Sequence, residues 1–145
     1  SSAASDVYKR QGQRTERGRV IKIGDAVFKS NFECGNICMV DYVGPNTYRI
    51  SMENEINSGR MSIWFYFSVQ GLKGENTFII EGFSKSSSLY NEGMKICYRE
   101  NNNGSQWRRG GTKISYYRSD DSDGEKTGYE LKYNFFFQSN GNSIV

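Results

Sequence analysis

The chain has 145 residues, 36% of them hydrophobic and 14% aromatic, which is the size and composition of one domain able to bury a core. Its 19 Lys and Arg against 16 Asp and Glu leave a formal charge of +3, a balance that does not mark a nucleic-acid binder. Histidine is absent, so neither a His-x-x-Glu metal pair nor Ser-His-Asp or Cys-His chemistry can be assembled from these residues.

Residues 1–12 read as a non-native or disordered leader, because Ser1 to Gln11 resembles translated adapter sequence, and the domain is expected over 13–145. In Phe32-Glu33-Cys34-Gly35-Asn36-Ile37, Gly35 and Asn36 suit positive-φ positions of a tight turn ahead of a strand beginning at Ile37. Cys34 and Cys38 have the spacing of a metal pair, but Cys97 is the last thiol of the chain, so free thiols in a reducing compartment are expected. Tyr48, Ile50 and Met52 alternate with polar residues, as in a half-buried strand. The run 61–70 spends aromatic residues on both faces: Met61, Ile63, Phe65, Phe67 and Val69 form a core face, whereas Trp64 and Tyr66 share the other with small polar residues. That second face suits contact with another domain or layer.

Further along, Met94, Ile96 and Tyr98 alternate with Lys95, Cys97 and Arg99, and Tyr129, Leu131, Tyr133, Phe135 and Phe137 with Glu130, Lys132 and Asn134. Each run has one dry face. Turn chemistry falls between the runs at 43–46, 57–59, 73–76, 101–105 and 119–128. The acidic insert with Asp120, Asp121, Asp123 and Glu125 lacks the closing glutamate of a calcium loop and reads as a solvated hairpin tip. Phe28, Phe32, Phe78, Trp107 and Tyr116 are expected in the core, at roughly 1.5 to 3 kcal/mol each. No stretch shows a helical stripe of ten or more residues, which predicts an all-β fold, an antiparallel β-sandwich with Greek-key or jelly-roll-like connections. No apolar run reaches the length of a membrane span and no signal peptide leads the chain, so a cytoplasmic protein with no membrane and no nucleic-acid partner is expected. The Asn103-Gly104-Ser105 glycosylation pattern is then idle.

Four segments together resemble a known family. Phe32-Glu33-Cys34-Gly35-Asn36-Ile37 is similar to the Phe-Glu-Ser-Gly-Asn-Leu signature of the cytosolic carboxypeptidases, zinc metallocarboxypeptidases that include tubulin deglutamylases. Trp64-Phe65-Tyr66-Phe67, then Ser88 to Met94 with Tyr98, then Trp107 to Thr112 with Tyr116 and Tyr117, resemble that family's next blocks in the same order. All four belong to the amino-terminal β-sandwich domain, so the resemblance implies a fragment truncated before the catalytic domain. It implies no catalytic, cofactor or metal residue here, with zinc held by the parent enzyme's missing domain. The implied partners are that downstream domain and acidic protein tails such as tubulin C-termini. The motif and interdomain candidates are Phe32, Glu33, Gly35, Asn36, Trp64, Tyr66, Gly93, Trp107, Arg109 and Gly111. Arg108, Arg109 and Lys113 are candidates for steering an acidic tail, and Glu33 and Arg109 for pairing with each other or across to the catalytic domain. A free-standing β-sandwich module binding carbohydrate or protein through Trp64 and Tyr66 is the alternative.

Overall fold

Period-2 sequence runs build two sheets in the computed structural model, which describes residues 19–53, 64–83, 85–100, 106–119 and 128–138 and the backbone of 143–144. The readings made for the leader 1–12, Met61, Ile63, the turn at 57–59, the 101–105 segment with its glycosylation pattern and the acidic insert from Asp120 to Glu125 fall outside those residues. The first sheet has six strands in the order β1 (Val20–Ile23), β2 (Ala26–Lys29), β5 (Ser68–Gln70), β11 (Ser143–Ile144), β7 (Ile96–Glu100) and β8 (Arg108–Gly110). The second has five: β3 (Ile37–Gly44), β4 (Thr47–Met52), β6 (Gly74–Phe83), β10 (Tyr129–Phe137) and β9 (Thr112–Arg118).

Among the described residues every ladder is antiparallel except one. β4 runs parallel to β6, from Thr47 opposite Thr77 to Ser51 opposite Glu81. Local alternation carries no information on strand direction, and a parallel pair needs a crossover, here the excursion through β5 in the other sheet.

The sheets face each other across a core made largely of rings. Phe28 of β2 lies 5.3 Å from Tyr48 and 6.3 Å from Phe78, Phe67 lies 6.1 Å from Phe78, and Tyr98 of β7 meets Phe135 of β10 edge-on at 4.7 Å. Such tilted contacts add to the area each ring removes from water. Phe28, Phe78 and Tyr116 are core as expected, but Phe32 is only half-buried and Trp107 is 46% exposed. Both lie on the far side of the first sheet, where their rings meet other rings. Of the described residues of the predicted strand 61–70, only Ser68–Gln70 pairs, as β5. The alternation holds beyond the pairing, since Phe67 and Val69 are buried, Phe65 packs on the core and Trp64 is exposed.

One core group is anomalous. The Tyr133 hydroxyl is wholly buried and has no hydrogen-bond partner among the described residues, and burial pushes its pKa well above the usual phenol value. An unpaired buried hydroxyl costs about 1 to 3 kcal/mol. Tyr133→Phe is therefore expected to stabilise the domain by about 1 kcal/mol at neutral pH, measured by urea unfolding. The folded phenol ionises less readily than the unfolded one, so stability is full below the unfolded pKa near 10 and falls as pH rises above it. The phenylalanine variant loses that part of the alkaline decline.

The outer face of the second sheet carries a charge network, with Tyr117 and Phe136 exposed on the same face. Arg49 of β4 donates through Nη1 to Glu130 of β10 at 2.6 Å and to Glu81 of β6 at 3.2 Å, and Ser51 donates to Glu81. Glu130, almost wholly buried, lies opposite Tyr117 and Glu81 in the ladders. Burial alone would weaken the Arg49 charge, but its bonds to Glu130 and then Glu81 outweigh that and raise its pKa. Arg49, Glu81 and Glu130 thus satisfy one another's charges.

Candidate docking surface

The turn at 32–35 starts the site. Gly35 N donates to Phe32 O at 3.0 Å, closing a four-residue turn. The residue at positive φ is Cys34 (φ 68), not Gly35 or Asn36 as expected. Gly35 is needed for a different reason: a Cβ there would overlap the Ser30 carbonyl, 2.7 Å from its carbon.

Asn36 follows, nearly buried, and reaches across to the second motif. Its Nδ2 donates to Trp64 O at 2.9 Å, its Oδ1 accepts from Tyr66 N at 2.8 Å, and its backbone N donates to Tyr66 O at 3.1 Å. Asn36 O accepts from Glu53 N at the end of β4. A side-chain amide thus does for residues 64–66 what a neighbouring strand does elsewhere.

Held this way, Tyr66 anchors a row of rings on the outer face of the first sheet. Phe32 meets it edge-on at 4.8 Å, Trp107 meets it from another side at 5.9 Å, and the Arg99 guanidinium lies over the Trp107 ring at 4.9 Å. Trp64 and Trp107 are each about half exposed. The first, second and fourth sequence motifs therefore converge on one surface. Arg99 was not singled out from the sequence. Its position in β7, on the opposite face from Ile96 and Tyr98, was the available signal, and cation–π contact is how an arginine covers an indole.

The third motif sits against β9 of the second sheet. Ser88 caps a short 3₁₀ turn, Leu89–Glu92, and Gly93 closes it at φ 100, where a side chain would be strained. Asn91 repeats the amide clamp, donating to Tyr116 O at 3.0 Å and accepting from Tyr116 N at 3.2 Å. Burial raises the Tyr90 phenol, while the nearby Arg109 charge pulls it the other way. Gly110 admits the Tyr98 ring, which a Cβ would approach to 2.7 Å, and Gly111 (φ 93) bends the chain from β8 into β9.

The charged candidates do not all assemble. Glu33 is exposed, and Arg109 instead donates to the Lys95 carbonyl at 3.0 Å, so among the described residues the two do not pair with each other. Arg108 lies opposite Tyr98 and Arg109 opposite Cys97 in the β7–β8 ladder, so these two neighbours point to opposite faces. Only Arg109 shares the aromatic side with Arg99. Lys113 is exposed at φ 50 near the start of β9. The thiols are dispersed, with Cys34 in the turn, Cys38 in β3 and Cys97 in β7. No helix among the described residues is long and apolar enough to cross a membrane.

A sequence profile described as the cytosolic carboxypeptidase N-terminal domain matches residues 28–123. Cytosolic carboxypeptidase 2 of Danio rerio is 34% identical over 122 residues, 80% of this chain and 17% of that relative. The Homo sapiens cytosolic carboxypeptidase 2 is 32% identical over 117 residues, 77% of this chain and 13% of the relative. Cytosolic carboxypeptidase 1 of Gallus gallus is 37% identical over 98 residues, 63% of this chain and 8% of the relative. The chain thus spans less than a fifth of the length of these curated relatives.

Proposed function

The chain belongs to the cytosolic carboxypeptidase family through its N-terminal domain, and on that premise we propose that it is the non-catalytic support of a peptidase whose active centre lies downstream. In this reading the outer face of the first sheet docks on the catalytic domain and helps shape the approach by which acidic protein tails, such as tubulin C-termini, reach the metal. The parent enzyme removes carboxy-terminal residues, typically glutamates, in the cytosol.

The supporting observation is the contrast between the two outer faces. One holds the Arg49–Glu81–Glu130 network with Tyr117 and Phe136 exposed on the same face, while the other presents Trp64 and Trp107 about half exposed in a braced row of mutually contacting rings. Large rings surrounded by fixed neighbours are what a permanent interface uses as anchors. Arg99 and Arg109 on the same side supply positive charge next to the rings and would draw an acidic tail toward the cleft between domains. Among the described residues no set of side chains fits zinc: histidine is absent from the chain and the three cysteines lie in a turn and two different strands. Its chemistry, polarising a scissile carbonyl and activating water, is assigned to the downstream domain. The alternative module on Trp64 and Tyr66 is less well supported, since Tyr66 meets Phe32 and Trp107 in T-shaped contacts that occupy the ring.

In the parent enzyme, the double change Trp64→Ser and Trp107→Ser is expected to weaken interdomain coupling by about 2 kcal/mol. The two domains then melt separately in calorimetry and kcat/KM on glutamate-chain peptides falls, with zinc content unchanged. A parent enzyme that melts and turns over as before would refute docking through this face.

A further inference from the structure

We propose that Arg99 holds a carboxylate of the downstream domain in a two-pronged hydrogen bond, so that the surface closing over the ring row is acidic where it meets Trp107. The inference rests on the docking reading above and names the partner chemistry of that same face. It starts from the state of one arginine. Tyr98 pairs with Arg108 in the β7–β8 ladder, and one step further along that antiparallel register brings Trp107 beside Arg99. The guanidinium lies over the indole at 4.9 Å, which uses its flat face and leaves the N–H groups in its plane uncommitted. Among the described residues Arg99 makes no hydrogen bond through its side chain and no ion pair.

Covering Trp107 covers Arg99 with it. Water satisfies the guanidinium while the face is open, and an interface that removes this water must replace it, because a buried cation without a counter-charge is strongly unfavourable. This domain has none to offer. The strands of the face bring three further cations, Lys22, Lys29 and Arg109, and no carboxylate among the described residues. Glu100, next to Arg99 in β7, points to the opposite side.

The counter-charge therefore comes from the partner. On a protein surface the group that supplies negative charge and two coplanar acceptor oxygens together is the carboxylate of Asp or Glu, which matches the guanidinium fork. A tail that arrives and leaves with each turnover would strand the cation in between, so the permanent neighbour carries the carboxylate. Long-range steering needs charge alone and survives Arg99→Lys, whereas the fork does not.

Arg99→Lys in the parent enzyme gives the direct test. Carbodiimide activates carboxylates, and an amine in contact with one captures it as an amide while the reagent leaves as its urea. Mass spectrometry of the digest is expected to show position 99 joined to an Asp or Glu of the downstream domain. Arg99→Gln is expected to speed hydrogen exchange of β7 and β8 in the parent enzyme about tenfold and to abolish the acceleration that high salt produces in the unaltered protein, whereas Lys22→Gln, on the far edge strand, changes neither. Should circular dichroism show the lysine variant to be misfolded, the exchange and salt response of Arg99→Gln decide. The proposal is overturned by no crosslink from position 99, by a crosslink to Glu33 or another carboxylate of this domain, by one that forms only when an acidic tail peptide is added, or by unaltered exchange in Arg99→Gln. Domains that uncouple on Trp64→Ser with Trp107→Ser, but give no crosslink, remove this contact and leave docking standing; domains that stay coupled there remove both.

Discussion

Asn36→Ala is expected to cost the domain about 3 kcal/mol, roughly what two lost hydrogen bonds and a stranded part-buried amide amount to. The side chain satisfies Trp64 O and Tyr66 N at once, at 2.9 and 2.8 Å. Among the described residues no strand pairs with 64–67, so alanine releases this segment from its side-chain anchor. Urea unfolding measures the loss, and tryptophan emission shifting toward its solvent value reports the loosening of Tyr66 against Trp107. Asn91→Ala is the control. It removes the same kind of two-bond clamp from an exposed residue and should cost about 1 kcal/mol. Equal effects of the two changes would remove the special standing given to Asn36.

Gly35→Ala is expected to be at least as damaging, at about 3 kcal/mol or more, through overpacking of backbone on backbone. The added methyl would lie 2.9 Å from Ser30 Cα as well as on its carbonyl. Ser30 cannot retreat easily. Its amide donates to Arg19 O at 2.8 Å and its hydroxyl to Ile37 O at 3.2 Å. Gly24→Ala separates conformational from steric cost, because Gly24 has a φ of +58 but a Cβ there meets nothing within 4 Å, whereas Gly35 has an ordinary φ and a steric clash. That change should cost about 1 kcal/mol. A Gly35→Ala midpoint no lower than that of Gly24→Ala would show that the turn yields more readily than its bonds suggest.

The sequence disclosed what depends on neighbours and hid what depends on register. Leu131, Tyr133, Phe135 and Phe137 are buried as their alternation predicts, and so are Tyr48, Ile50 and Met52. The motif residues were legible as a set but not in their roles. Gly35 was read as a positive-φ residue, yet its task is to let Ser30 come close, a contact between loops that no local pattern encodes. Asn36 was read as a turn former and is a bridge to residues 64–66. Glu130 alternates like a solvated residue but is buried under Arg49, a cation 81 positions away. Arg108 and Arg109 were grouped by adjacency, although adjacent residues in a strand face opposite ways. Ile144, legible only as an apolar residue after a turn, proves to be a strand between β5 and β7.

That last placement bears on how the protein is made. β11 pairs on one side with Ser68 and Val69 and on the other with Arg99 and Glu100. Until it arrives, the six-stranded sheet exists as two pieces, β1-β2-β5 and β7-β8, with no ladder joining them among the described residues. During translation both pieces leave the ribosome long before residue 144, so the sheet cannot close while the nascent chain is shorter than that. Non-local pairing of this kind folds slowly and leaves strand edges bare in the interval, which makes newly made chains the vulnerable population for chaperone capture or aggregation.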